Sequence, residues 1–486
     1  MKSALLLFSL LFSLTFQAQE QFGSSFSNYT PTQSVFMNPS SMLDSKTWLD
    51  IHIVGAGTYA MNNMVYLRNS SVLKAIKSDE RTLQNSIRYN RNRRVNSVYN
   101  RTFANALSGV WSQGDFAAGL FFNVRSFTTV RGIPDEAIDI IDGSIAGDQF
   151  EQNKDYSYRD LNVSSLTFGE VQLSLGYTFY KKRLDMLMGG ISIKKFVPLL
   201  GGAARIYDAR FNQSSDTSFA YLNADIDAMY TNQIAPNFRG GMGLDIGFTY
   251  QKMTAYCQSY FPNSKRNGCK QIPYKYKVGV SILDIGSVKY DQQVVQSRGI
   301  RINYDTTYYT RFDNFEQDSI FQIISGLDTV FNDEDIKNPN KIHLPTALSL
   351  QFDYNLWKSK VYFNASLMQG FPIRNQKFGS RRPNSLMVGV RYESRIFDVS
   401  IPFSLYEYSM PQLGFEFRIY CLTVGTDKLL SLVGTPSLYG ADIYAALKIP
   451  IFYNPQCKTK MKNKNKSEAA KQKGYRKKRN NCPAYQ

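Results

Sequence analysis

The chain has 486 residues, a mean hydropathy of -0.32 and, beyond its first residues, no run approaching the ~20 apolar residues of a membrane helix, which excludes a helical membrane protein. Its formal net charge of +18 is local: Arg68 to Arg101 holds nine Lys or Arg against Asp79 and Glu80, Lys458 to the end holds eleven against Glu468, and apart from Lys2 the remainder sums to zero. A uniformly basic nucleic-acid binder is thereby excluded, and no nucleic-acid partner is expected.

Met1 and Lys2, the apolar run from Ala4 to Phe16 and the small Ala18 form a secretory signal peptide over residues 1–18, with cleavage expected after Ala18 and export as its consequence. From Phe22 to Lys46 the chain is loop-like. It carries Asn28-Tyr29-Thr30-Pro31 and then Asn38-Pro39-Ser40-Ser41, and Pro and Asn at this density argue against a central strand.

Strands follow, each with period two. The first is expected from Trp48 to Tyr59, with Leu49, Ile51 and Ile53 opposite Asp50 and His52. Residues 62 to 100 read as a basic helix or irregular loop. Strands resume at Thr102 to Trp111 and Phe116 to Phe127 around the turn Ser112-Gln113-Gly114, with Asn123 and Arg125 on the polar face. After a polar loop from Thr128 to Ser164 comes a complete hairpin, Ser165 to Val197. Its first arm alternates Val171, Leu173 and Leu175 with Glu170, Gln172 and Ser174, and Lys181-Lys182-Arg183 makes the turn. Residues 198 to 237 offer a small extra hairpin. Leu244 to Tyr250 and Tyr276 to Ile282 alternate strongly, and a long polar segment from Asp291 to Lys341 precedes a run of hairpins ending in Ile443 to Ile451.

Such two-faced strands need two solvents: a second sheet in a sandwich, or lipid outside and water inside a barrel. Short connections at Lys181 to Arg183, Trp357 to Ser359 and Glu393 to Arg395 alternate with long ones, which is the barrel pattern, and 14% aromatics dominated by 32 Tyr and 33 Phe suit strand ends at a membrane interface. The expected fold is all-β: a transmembrane antiparallel β-barrel of about fourteen strands over residues 47–456, with a plug over 19–46 and a basic tail over 457–486. Ala203 to Asp208, Ser218 to Asp227 or Leu429 to Leu438 are expected to complete the count.

The motif Asn38-Pro39-Ser40-Ser41 just before the first strand resembles the hatch of FadL-type outer-membrane barrels. The longer pattern, Ser27-Asn28-Tyr29 through Asp50 to Val54-Gly55-Ala56, with Gly440-Ala441-Asp442-Ile443-Tyr444 and Lys448-Ile449-Pro450 at the far end, is similar to an uncharacterised FadL-like barrel family of Bacteroidetes-type bacteria, more distantly to PorV and PorP/SprF-type barrels. The resemblance implies an outer-membrane location more clearly than a ligand.

Asp50, Glu170, Lys194, Asp245, Lys277, Asp353, Arg391, Glu416 and Arg418 are expected to face the lumen, as a polar substrate path or as paired charges that hold plugs and loops. Glu170 and Gln172 are expected to tolerate Arg. His52 and His343 form no Ser, His and acid cluster by spacing, and the two His and five Cys show no metal-ligand pattern. Neither catalysis nor a cofactor is expected. In an oxidising compartment the spacings permit bridges between Cys257 and Cys269 and between Cys457 and Cys482. The tail, with Lys458, Lys460, Lys462, Arg476, Lys477, Lys478 and Arg479, has almost nothing to bury and could grip an anionic partner.

Two functions fit these features. One is an accessory or structural subunit of an envelope complex of the secretion or outer-membrane assembly type, tethered through its tail to periplasmic proteins or cell-wall polymer. The other is FadL-like transport of small hydrophobic molecules across the outer membrane. Membrane lipid and lipopolysaccharide are expected partners of either.

Overall fold

The computed structural model describes residues 17–18, 21–90, 95–134, 155–215, 218–231, 234, 236, 238–264, 271–290, 294–304, 307–308, 341–371 and 378–455. Fourteen antiparallel staves close into a barrel. They are β1 (Leu49–Asn62), β2 (Asn96–Asn105 continued by Ser108–Gln113), β3 (Phe116–Ile133), β4 (Asp155–Lys182), β5 (Asp185–Ser215), β6 (Met242–Met253) and β7 (Tyr274–Lys289). The second half comprises β8 (Ala347–Trp357), β9 (Val361–Gly370), β10 (Ser385–Glu393), β11 (Phe397–Tyr406), β12 (Met410–Leu413 continued by Phe415–Ile419), β13 (Leu422–Thr426) and β14 (Gly440–Ile451). Each stave pairs with the next, and β14 returns to β1 with Leu49 opposite Ile451 and Ile51 opposite Ile449.

The alternation decides which way each side chain points. On β4, Leu173, Leu175 and Tyr177 are 46%, 37% and 56% exposed, whereas the intervening Gln172 and Ser174 are fully buried. Apolar outside and polar inside is the reverse of a water-soluble core and the arrangement of a membrane barrel. The chain reverses tightly at one end. At Lys358 and Ser359 between β8 and β9 both residues have positive φ (46° and 57°), the signature of a hairpin turn matched to strand twist. Most long connections gather at the other end, and the one over 254–273 lies at the short-turn end.

Several expectations need correction. The extended region after β1, expected as a basic helix or irregular loop, holds the strand Val65–Ser70, two short helices, α3 (Val72–Lys77) and α4 (Glu80–Ser86), and the strand Ile87–Tyr89. The Ser71 side chain accepts from Lys74 N at 3.2 Å and starts α3. Staves β4 and β5 run for 28 and 31 residues, well past the ~9–11 residues that span a bilayer, so they project beyond the membrane and carry Ser218–Thr231 and Val294–Tyr304 on their extension. The fourteenth stave is β13, not any of the three segments expected to supply it. Its five residues are too few for alternation to stand out, and residues 429–433 instead form α5 (Leu429–Val433).

The segment preceding β1 fills the lumen. It comprises α1 (Phe22–Phe26), α2 (Pro31–Ser34) and the 3-10 turn Pro39–Asp44. Phe22, Phe26 and Met37 pack against Leu283, Ala347, Met368 and Met387 of the wall, and Val35, Met42 and Leu43 join Val110, Phe121 and Met186. Apart from Gln17 and Ala18 the signal segment lies outside the described residues, as does the tail over 456–486.

Candidate functional site

Wall glycines make room for the Asn38-Pro39-Ser40 turn. A Cβ built on Gly190 of β5 would lie 2.4 Å from Ser40 N, and one on Gly247 of β6 would lie 2.1 Å from Asn38 Oδ1. Pro39 enters the 3-10 turn where its missing N–H costs nothing. Asn38 Oδ1 accepts from Ser40 N at 3.0 Å and from Ser40 Oγ at 2.7 Å. Its Nδ2 donates to Gln351 Oε1 at 2.9 Å, while Ser40 Oγ meets Thr249 Oγ1 at 2.7 Å. The fourth motif residue, Ser41, bonds Ser34 Oγ at 2.8 Å within the plug.

Charged groups fasten the rest of the plug. Ser27 Oγ donates to Asp398 at 2.7 Å, Asn28 Nδ2 to Glu393 at 2.8 Å and Thr32 Oγ1 to Asp50 at 2.8 Å. Lys46 pairs with Glu393, and Lys277 with Asp44 at 3.1 Å. Lys448 Nζ donates to the Tyr29 carbonyl at 2.6 Å. Arg391 links Glu393 to Asp353, Arg418 pairs with Asp398 at 2.6 Å, and Glu416 accepts from Tyr444 beside Gly23. Burial alone would lower the Lys46 pKa, but the adjacent Glu393 carboxylate raises it above the usual lysine range, so the latch stays charged.

Among the described residues, no main-chain to main-chain hydrogen bond joins residues 21–45 to the wall. The plug's own backbone bonds are internal, and everything that fastens it crosses through side chains.

Farther up the lumen, six charges form a second layer. Arg125 reaches Glu170 at 2.8 Å and Asp284 at 2.7 Å; Lys194 reaches Asp245 and Asp284, each at 2.7 Å; Arg382 lies 3.6 Å from Asp284. Three cations meet three anions, all buried. Asp284 sits at φ 55°, a turn in β7 that aims its carboxylate inward. Arg382 belongs to a segment that enters from the loop end, where Phe378 O accepts from His343 N at 3.2 Å. The lumen is therefore filled from both ends.

All eight charged residues expected in the lumen besides Lys277 are buried there, and each has a named partner above. Sequence reasoning missed Asp284, Arg382, Glu393, Asp398 and Lys448. Lys448 alternates with outward Leu447 and Ile449 and could have been found; Asp284 breaks the period and Arg382 lies on a loop. Glu170 is not a tolerant position, because Arg there would face Arg125.

Two clefts remain. One of about 270 Å³ opens at the short-turn end among Tyr29, Lys46, Tyr260, Tyr274 and Tyr362. Burial pushes the Tyr260 phenol above its usual range, so it is a neutral donor. The other, of about 230 Å³, opens at the loop end beside Met61, Gln412, Lys428 and Leu430. His52 is buried and His343 half-buried, on separate elements. Cys257 is a buried thiol, unbridged among the described residues, whose Sγ donates to Asp185 O at 3.4 Å; Cys269, its expected partner, lies outside them. Cys457, Cys482 and the tail cations Lys458, Lys460, Lys462, Arg476, Lys477, Lys478 and Arg479 also lie outside it.

A family model described as a family of unknown function, DUF5723, matches residues 39–427. No curated protein matches. Among solved structures, the chain is similar to the Pseudomonas putida toluene transporter TodX, at 9% identity and a TM-score of 0.31 over 89% of this chain and 97% of that one. It is also similar to a Pseudomonas aeruginosa FadL homologue, at 7% identity and a TM-score of 0.20 over 88% and 94% of the two chains. A mutant Rhodopseudomonas blastica porin gives 8% identity and a TM-score of 0.18 over 82% and 100%.

Proposed function

The chain belongs to the DUF5723 family of unknown function, and we propose that within it this protein is an outer-membrane barrel that passes small hydrophobic molecules through a lumen gated by its N-terminal plug. In this reading the short-turn end faces the periplasm and the long loops face outward. The observation that carries the reading is that residues 21–45 share no main-chain hydrogen bond with the wall among the described residues; the ladder of Gln17 and Ala18 with Gly57 and Thr58 of β1 lies upstream, within the expected signal segment. The plug can leave its seat by exchanging side-chain hydrogen bonds and ion pairs for water, without opening a single stave. For a molecule to pass, the Arg382 segment at the loop end must also give way. Deleting residues 22–44 tests this: the truncated barrel should still insert, and should admit an apolar fluorophore that an intact lipopolysaccharide leaflet excludes. Unchanged exclusion would contradict the proposal.

A second reading has one observation in its favour. The neutral six-charge layer and the Arg382 segment block the lumen beyond the plug, which suits a non-conducting subunit of an envelope complex held through its basic tail. Removal of the tail would then release co-purifying partners and leave permeability untouched.

A further inference from the structure

The wall is incomplete at one place near the loop end. Stave β13 stops at Thr426, while the outer piece of β12, Met410–Leu413, continues and is paired only to β11 among the described residues. Where β13 would continue, the five-residue helix α5 packs against β12 and β14. A helix that short cannot replace a strand, and the cleft of about 230 Å³ is what remains.

Its lining is mixed. Gln412, Ser431 and Ser437 offer polar groups next to outward-facing Pro411, and Lys428 stands among them, only 5% exposed. The Lys428 Nζ touches Met61 Sδ and lies 4.8 Å from the Tyr59 ring centroid and 3.5 Å from Ala60 O; among the described residues it makes no ion pair within 4.0 Å, and the Asp442 carboxylate acts on it from farther away. A buried ammonium balanced only by a carboxylate outside ion-pair reach is costly, and an anion entering the cleft would lower that cost. Helix α3 packs on α5, and together they expose Leu73 and Ile76 (59% each), Leu430 (50%) and Val433 (73%). Exposed Arg68, Lys74 and Lys77 flank these apolar side chains, in a region with a large positive excess.

We propose that this notch is a lipopolysaccharide site: a lipid A phosphate seats in the cleft against Lys428, its acyl chains lie on the apolar strip of α3 and α5, and Lys74 and Lys77 take the second phosphate. An apolar strip beside cations at the rim of a membrane barrel is complementary to a lipid that carries several chains and two phosphates. The inference is independent of the plug's role, since none of these residues belongs to the plug.

The test is binding of fluorescent diphosphoryl lipid A to the purified full-length barrel in mild detergent. Lys74→Glu/Lys77→Glu, on exposed positions, should weaken binding about tenfold or more while heat-modifiability stays normal. Lys428→Met should weaken it similarly, and the exposed double variant decides the matter should Lys428→Met fail to fold. Lipid A stripped of both phosphates should bind poorly, and neither inorganic phosphate nor a single-chain fatty acid should displace the intact lipid. Equal binding by the charge-reversed variant, equal binding of stripped lipid A, or displacement by either small competitor would overturn the proposal.

Discussion

Gly190 of the wall lies directly beneath Pro39 of the plug, so close that a Cβ on the glycine would sit 2.5 Å from the proline carbonyl carbon. The contact is backbone against backbone, and neither side can yield by rotating a side chain. Gly190→Ala is therefore predicted to overpack the seat by about 1–3 kcal/mol and lift the turn. Hydrogen exchange should accelerate across residues 22–46 with the staves unchanged. Unaltered exchange there would show that the seat is not tight.

Lys46 and Glu393 form the charged latch nearest the plug's exit into β1. Lys46→Ala should loosen the plug by less than the roughly 3–5 kcal/mol of a fully broken buried pair, because Arg391 and Asn28 still hold the Glu393 carboxylate. Glu393→Ala should cost more, since it strands Lys46 and leaves Arg391 held by Asp353 alone. Denaturant midpoints for plug release should rank wild type above Lys46→Ala above Glu393→Ala.

Leu173 faces lipid and Glu170 faces Arg125, so Arg should be costly at both positions for different reasons. Leu173→Arg should lose ~2–4 kcal/mol near the bilayer midplane, measured by reversible folding into vesicles. Glu170→Arg should fail through like charge in a buried layer, and Glu170→Gln, which keeps the Asn123 hydrogen bond, should be milder.

Cys257 is sealed under the short-turn end and Cys421 is partly open. A water-soluble maleimide should label Cys421 in the folded barrel and Cys257 only after unfolding. Recovery of a Cys257–Cys269 peptide under non-reducing conditions would contradict the free thiol.

Much of the wall was legible because alternation is a local signal. Leu173 against Gln172, or Leu447 against Lys448, announces two solvents without reference to any partner. Stave ends were less legible: β4 begins at Asp155 on polar residues that read as loop, whereas the extension of β5 paired to Ser218–Thr231 falls where an extra hairpin was expected. The plug motif was legible as a motif, but its seat was not. Gly190 and Gly247 are simply small residues in strands until Asn38 and Pro39 are placed against them, and the pairing spans more than 150 residues of chain. Glu170, Lys194 and Asp245 of the charged layer were legible, but its centre Asp284 was not, since a positive-φ residue inside a strand breaks the period that sequence reading relies on.

The most direct test of the gated lumen uses two hydroxyls that already touch, Ser40 Oγ and Thr249 Oγ1 at 2.7 Å. Ser40→Cys and Thr249→Cys, in a chain whose own cysteines are replaced by serine, place two sulfurs where a disulfide can lock plug to wall. Entry of an apolar fluorophore that lipopolysaccharide excludes is then followed in intact cells. Oxidation is predicted to abolish entry and reduction to restore it, with the barrel equally abundant in both states. Equal entry in the oxidised and reduced states would contradict a lumen gated by the plug.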